Sequence, residues 1–287
     1  MTRRSPTARR RRLGIELRRL REAADLTIDQ VAEALECSDS KVSRIETGRV
    51  SATPRDVRDM LALYQVDDEQ RDALVQIARE ARQKGWWHEY FDVPFVPAYV
   101  GLEVAAVSVR IYEPLVVPGL LQTVGYARVV LRSVFPKLPA DELERRVELR
   151  MARQSLLTQD DPMALWVVLD EAVLHRLVSE RVVAREQLDR LTDVAALPSV
   201  TLQVLPFAAG VHAGVDGPFT ILGFDEPADP DVVHLEHAAG LEYAAGALFL
   251  ESTEELKRFA LLFDQLCGAA LDPGASADFI AALAKEL

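Results

Sequence analysis

The densest helical pattern in the chain lies at 26–49, LTIDQVAEALECSDSKVSRIETGR. Ile28, Val31, Ala32 and Leu35 recur at intervals of three and four residues, and Val42 and Ile45 do so again after a short break. Thr27 and Ser38 stand where N-caps are needed. The outward positions of the second helix are Asp39, Ser40, Lys41, Ser43 and Arg44, all short polar or basic. Two short helices, a tight turn and a donor-rich outer face predict a helix-turn-helix, a device that places side chains in the DNA major groove. Upstream, Leu13, Leu17 and Leu20 predict a helix over 12–24 that packs across the pair. Residues 1–11 are Arg-rich without apolar periodicity, and read as a disordered arm able to reach phosphates or the minor groove. Downstream, Thr53-Pro54 starts a helix with Val57, Met60, Leu61 and Tyr64 inside. Asp67 opens another with Leu74, Ile77 and Ala78 inside. A helical head over 1–83 follows.

From 84 to 97 the composition changes. Trp86, Trp87, Tyr90, Phe91 and Phe95 crowd together with two prolines. This strip is too aromatic for a free linker; it packs between domains or relays an effector's state to the head. Residues 98–287 then form a second domain. Helical patterns cover 102–111, the stretch after Thr123, 141–158, 181–196 and 253–268. Asp170 caps a further short helix. Strand-like runs occupy 165–169, 200–205, 219–224, 232–236 and 247–250. The expected fold class is mainly α with an α+β second domain, its sheet largely antiparallel.

Charge changes the picture of the head. The chain has a net charge of -12, but it is unevenly spread. Residues 1–58 hold 14 Lys and Arg against 9 Asp and Glu, net +5; residues 59–287 hold 19 against 36, net -17. A basic head can meet phosphates, and an acidic body would be repelled by them. The 287 residues suffice for two domains. No apolar run is long enough to span a membrane, and no secretory leader is expected. Cys37 and Cys267 stand far apart, which fits a reducing cytoplasm and neither a zinc cluster nor a disulfide frame.

The stretch LRRLREAADLTIDQVAEALECSDSKVSRIETGR resembles the DNA-binding domain of the XRE family of repressor-type regulators. The resemblance implies five helices and a semi-buried ion pair between Arg21 and Glu46 that ties the first helix to the reading helix. It also implies a left-handed stop at Gly48. Glu36 stands where that family often has glycine, so either Glu36 takes a positive φ or the turn differs. By position, Asp39, Ser40, Ser43 and Arg44 face base edges, with Arg44 the candidate for a bidentate bond to guanine. Asp39 either accepts from cytosine or serves the positive end of its own helix. Thr27, Ser38, Lys41 and Arg49 are candidates for phosphate contacts. The partner is double-stranded DNA, and a single reading helix implies a homodimer.

In the second half, Tyr112-Glu113-Pro114, Val117 to Thr123, Arg150 to Gln154, Val168 to Ala172, Leu202 to Phe207 and Gly210-Val211-His212 are similar to the C-terminal domain of actinobacterial XRE-type regulators. That domain is of undefined function and is sometimes labelled antitoxin-like. The resemblance implies a small partner protein as one possible ligand. Catalytic tokens are few. His234 and His237 flank Glu236, but on a strand they point to opposite faces, so a metal site is not expected. Ser155, Ser179 and Ser199 lack a nucleophile context, and no phosphate or dinucleotide glycine pattern occurs. Neither a catalytic constellation nor a cofactor is expected, so the reading is not an enzyme. His212, in a glycine-flanked loop, either hydrogen-bonds within that loop or joins Trp86 and Trp87 in binding a small-molecule effector. The second domain therefore reads as a sensor and dimerisation module, or alternatively as an antitoxin-like platform for a partner protein.

Overall fold

The computed structural model describes residues 5–90, 96–177, 180–225, 229–236 and 247–287. By packing, the chain divides into two compact units. One holds the residues up to Glu89 together with Pro97–Ala105; the other holds Ala106–Leu287.

The first unit contains α1 (Pro6–Ala23), α2 (Ile28–Ala34), α3 (Asp39–Glu46), α4 (Pro54–Leu63), α5 (Asp68–Glu80) and α6 (Val96–Ala105). The caps fall where expected. Thr27, Ser38, Thr53 and Asp67 each accept a backbone N–H in the first turn of the helix that follows. Leu13, Leu17, Val31, Val42, Ile45, Val57, Met60, Leu61, Leu74 and Ala78 form one buried core.

Four of these helices stop in the same way. Asp25, Glu36, Gly48 and Gln65 follow α1 to α4 with φ of 55°, 50°, 65° and 57°. After α1, α2 and α4, the next residue donates its N–H back to a carbonyl of the last turn. The pairs are Leu26 to Arg21 (3.2 Å), Cys37 to Ala32 (2.9 Å) and Val66 to Leu61 (3.1 Å). Leu26, Cys37 and Val66 also pack on the core, so apolar burial holds non-glycine residues in a left-handed conformation. Glu36 thus adopts the positive φ, and the turn keeps its shape.

Two expectations change. Residues 5–11 are not an arm. Ser5 caps α1 from outside, Pro6 occupies its first turn, and Arg9 pairs with Glu80 of α5 at 3.0 Å. The Ser-Pro start signal outweighs the missing apolar periodicity. Residues 1–4 lie outside the described residues. The helix expected over 102–111 is two elements. Helix α6 ends at Ala105 and packs with the first unit, where the Ser5 hydroxyl donates to the Gly101 carbonyl. A strand follows, because Val107, Val109 and Ile111 alternate with polar residues.

The second unit is a six-stranded sheet of order β3-β2-β1-β4-β5-β6. Its strands are β1 (Ser108–Glu113), β2 (Ala164–Asp170), β3 (Val200–Leu205), β4 (Phe219–Gly223), β5 (Val232–Glu236) and β6 (Ala247–Leu250). Its helices are α7 (Val124–Val134), α8 (Ala140–Arg153), α9 (Glu171–His175), α10 (Arg181–Ala195), α11 (Thr253–Ala269) and α12 (Pro273–Glu286). Strands β1, β2 and β3 are parallel, and the pairings β1–β4, β4–β5 and β5–β6 are antiparallel. The sheet is therefore mixed. Helical crossovers α7–α8 and α9–α10 allow the parallel half. Tyr112, Val168, Phe219, Ile221 and Val233 line one face against Phe259, Phe263 and Leu266 of α11. On the outer edge, Val204 accepts from Leu271 N–H at 2.9 Å and donates to the Ser276 hydroxyl at 2.9 Å, so β3 is sealed by the start of α12.

Glu36→Gly should raise the stability of the first unit by about 1 kcal/mol, because glycine carries no left-handed penalty. Thermal unfolding checks it; an unchanged or lower Tm would show that the left-handed backbone at Glu36 costs nothing.

Candidate nucleic-acid interface

Helix α3 has only eight residues, too few to hold its own shape in water. Its inner side, Val42, Ile45 and Glu46, is buried. Asp39, Ser40, Lys41 and Arg44 are exposed, and Ser43 is half-buried. The exposed caps Thr27 and Ser38 lie at the N-terminal ends of α2 and α3. Each of their hydroxyl oxygens accepts a backbone N–H at 3.2 Å, which leaves the hydroxyl hydrogen to donate to a phosphate oxygen.

Two features fix the orientation of α3. Arg21 of α1 donates to Glu46 through Nε (2.7 Å) and Nη2 (3.0 Å), and through Nη1 to the Leu26 carbonyl (2.8 Å). Both side chains of the pair are buried, and the Glu46 carboxylate raises the Arg21 guanidinium above its ordinary value. The second feature is Gly14, which the sequence reading passed over. A Cβ there would sit 2.6 Å from the carbonyl oxygens of both Ile45 and Glu46, so α1 and α3 meet backbone to backbone. A lone glycine inside a strong helical pattern is the signal that marks such an approach.

The expected contact residues are not equally available. Arg44 and Arg49 are exposed and make no side-chain hydrogen bond or ion pair among the described residues. Lys41 is engaged: its Nζ donates to Asp56 Oδ1 at 2.8 Å. Asp56 also closes the capping box of α4 with Thr53. Burial pushes the Asp56 carboxyl up, but the bonds from Lys41 and Thr53 outweigh it and hold the group below its ordinary value. Asp39 Oδ1 accepts the Ser40 N–H at 2.7 Å and so serves its own helix. Asp56 was missed because nothing in the local pattern shows that it reaches α3 across fifteen residues.

The remaining expected site residues lie elsewhere. Trp87 is buried and Trp86 is 39% exposed; both belong to the first unit and lie in a short 3-10 turn at Trp86–Tyr90. Phe91, Phe95, Ser179 and His237 lie outside the described residues. His212 is in the second unit, its Nε2 3.7 Å from Asp170 Oδ2. His234 is buried on β5 with its ring 5.0 Å from that of Phe249. Among the described residues no three His, Cys, Asp or Glu side chains gather as a metal site, and no single helix is long and apolar enough to cross a membrane.

Comparison with known proteins bears on both parts of the chain. A helix-turn-helix domain model matches residues 12–74, which run from within α1 to the middle of α5. The model of a domain of unknown function, DUF5753, matches residues 96–282, more than half of the chain. No curated protein and no solved structure matches. The first unit is thus a helix-turn-helix head of DNA-binding type.

Glu46→Ala would strand Arg21 without its partner and should cost about 3–5 kcal/mol, read as a fall in the unfolding temperature. Asp56→Asn should free Lys41 for phosphate. DNA binding then tightens, and the slope of log K against log salt steepens by about one. The same variant tests a pH effect. A carboxyl held below its ordinary 3.8 contributes stability that is full above about pH 4 and is lost as pH falls through the lower folded value. Asp56→Asn should therefore flatten the acid limb of the stability curve.

Proposed function

The chain belongs to the DUF5753 family, and we propose that it is a sequence-specific DNA-binding transcription regulator of the repressor type. Its second unit senses a small ligand or a protein partner and pairs two chains. The observation that carries the reading is the outer face of α3. Arg44 lies exposed and unpaired beside Ser40 and Lys41, on a helix whose inner face is buried and pinned to α1. Such a face suits base-edge contact, and Arg44 has the donor fork that reads guanine. A reading helix of this length covers about half an operator, which favours a twofold dimer.

The second unit fits a binding role better than a catalytic one. Burial, and after it the Asp264 carboxylate, push the Cys267 thiol up to about 11, far from a reactive thiolate. In the head, Cys37 is half-buried and packs against the core.

Selection of binding sites from a random DNA pool should return a two-part motif with half-sites about one helical turn apart. Arg44→Ala should weaken binding to the selected site by about 10- to 100-fold and relax one base position in each half. Unchanged affinity would remove Arg44 from the reading set. Light scattering should give a mass near twice 31.9 kDa at operator-binding concentrations; a monomer there would remove the dimer.

A further inference from the structure

The sheet order forces an unusual crossing. The chain leaves β3 at one edge and enters β4 on the far side of β1, three strand spacings or about 14 Å away. Residues 206–218 must therefore run over the carboxyl ends of β2 and β1. In open sheets with parallel strands, that end is where ligands bind.

The crossing segment has the make-up of a cover. Gly210 and Gly217 hold φ of 64° and 108°, with no atom within 4 Å of where a Cβ would stand, so both ends are unobstructed. Between them the chain dips inward. Gly214 lies so close against the Tyr112 ring that no Cβ would fit. The Gly214 N–H donates to His212 Nδ1 at 3.1 Å. That bond leaves the imidazole hydrogen on Nε2, directed at Asp170 Oδ2 3.7 Å away.

Beneath this cover the polar groups are incompletely used. Tyr112 is 1% exposed, and its hydroxyl makes no hydrogen bond among the described residues. The hydroxyl is not sealed from solvent, and its donor and lone pairs remain open to a bound group. Burial, then the nearby Asp170 and Glu113 carboxylates, hold the phenol neutral. Asp170 Oδ1 accepts the Ala172 N–H at 2.8 Å, while Oδ2 has only the distant His212. At the rim, Phe207 is 60% exposed with its ring stacked on His175 at 5.8 Å, and Leu115 is 52% exposed. Acceptors lie inside; at the edge the apolar surface stands beside Arg176, whose Nη1 donates to the Leu115 carbonyl at 3.4 Å, and beside the Glu171–His175 pair. An ammonium on an apolar body matches both.

We propose that the carboxyl end of β1 and β2 is a binding site for a small primary amine with an apolar body, its ammonium shared by Asp170 Oδ2 and the Tyr112 hydroxyl beneath residues 206–218. This deepens the reading of the second unit as a sensor, and rests on it. The apolar body lies against Phe207 and Leu115, and the glycine-bounded segment lifts to admit it.

The test uses the full chain and 2-phenylethylamine as the probe, with 3-phenylpropanoate as its counterpart of opposite charge. The readouts are the His212 ring signal by NMR, assigned with His212→Gln, and the unfolding temperature. The amine should shift the His212 signal saturably at millimolar concentration and raise Tm; the carboxylate should do neither. Asp170→Asn keeps the helix cap, and Tyr112→Phe keeps the ring. Each should weaken amine binding by about tenfold or more. No saturable shift in the parent protein, an equal response to the carboxylate, or undiminished binding in both folded variants would overturn the site. Amine binding that leaves DNA affinity unchanged would support the site and count against the sensor reading alone.

Discussion

The reading face depends on the bond between Arg21 and Glu46. Helix α3 is too short to persist alone, and its exposed residues are polar. Its position comes from the partners behind it: Val42 and Ile45 in the core, a bidentate ion pair at its end, and a backbone-to-backbone crossing at Gly14. Buried charge is a poor source of net stability, but it is intolerant of misplacement. A rotation of α3 that would move Arg44 relative to the groove must also break two short hydrogen bonds in a dry site. Orientation, more than stability, is what the pair supplies.

A constraint of another kind shapes the second unit. Three parallel strands, followed by one antiparallel neighbour on the side of the first, oblige the chain to recross its own sheet. Tyr112, Asp170, Phe207 and His212 are separated by up to a hundred positions along the chain. They meet because parallel strands bring their carboxyl ends to one side and the recrossing segment lies across them.

Much of the head was legible in the sequence. Caps at Thr27, Ser38, Thr53 and Asp67 are local chemistry, and apolar spacing of three and four marks the core. The tie between Arg21 and Glu46 came from resemblance, not from spacing. What escaped was non-local. Asp56 reaches Lys41 through the fold, Gly14 is required by a helix from another part of the chain, and Arg9 finds Glu80. In the second unit, most strands showed as β-branched runs. Strand β1 was hidden because its apolar residues continue directly from those of α6, so one hydrophobic stretch contains both periods. The parallel half of the sheet could not be seen either, since strand direction is set by crossovers and leaves no mark in the strands themselves.

Helix α6 has a bearing on where the head ends. The DUF5753 match begins at residue 96, yet the helix that opens it, α6, packs with the helix-turn-helix head, where Gly101 receives the Ser5 hydroxyl. The matched family domain and the folded unit are therefore offset by one helix. A head cut away at residue 96 would lose a helix that belongs to its own packing. Any side chain at 101 would drive its Cβ into Thr7 of α1, so α1 and α6 are matched to each other across the whole length of the head's sequence.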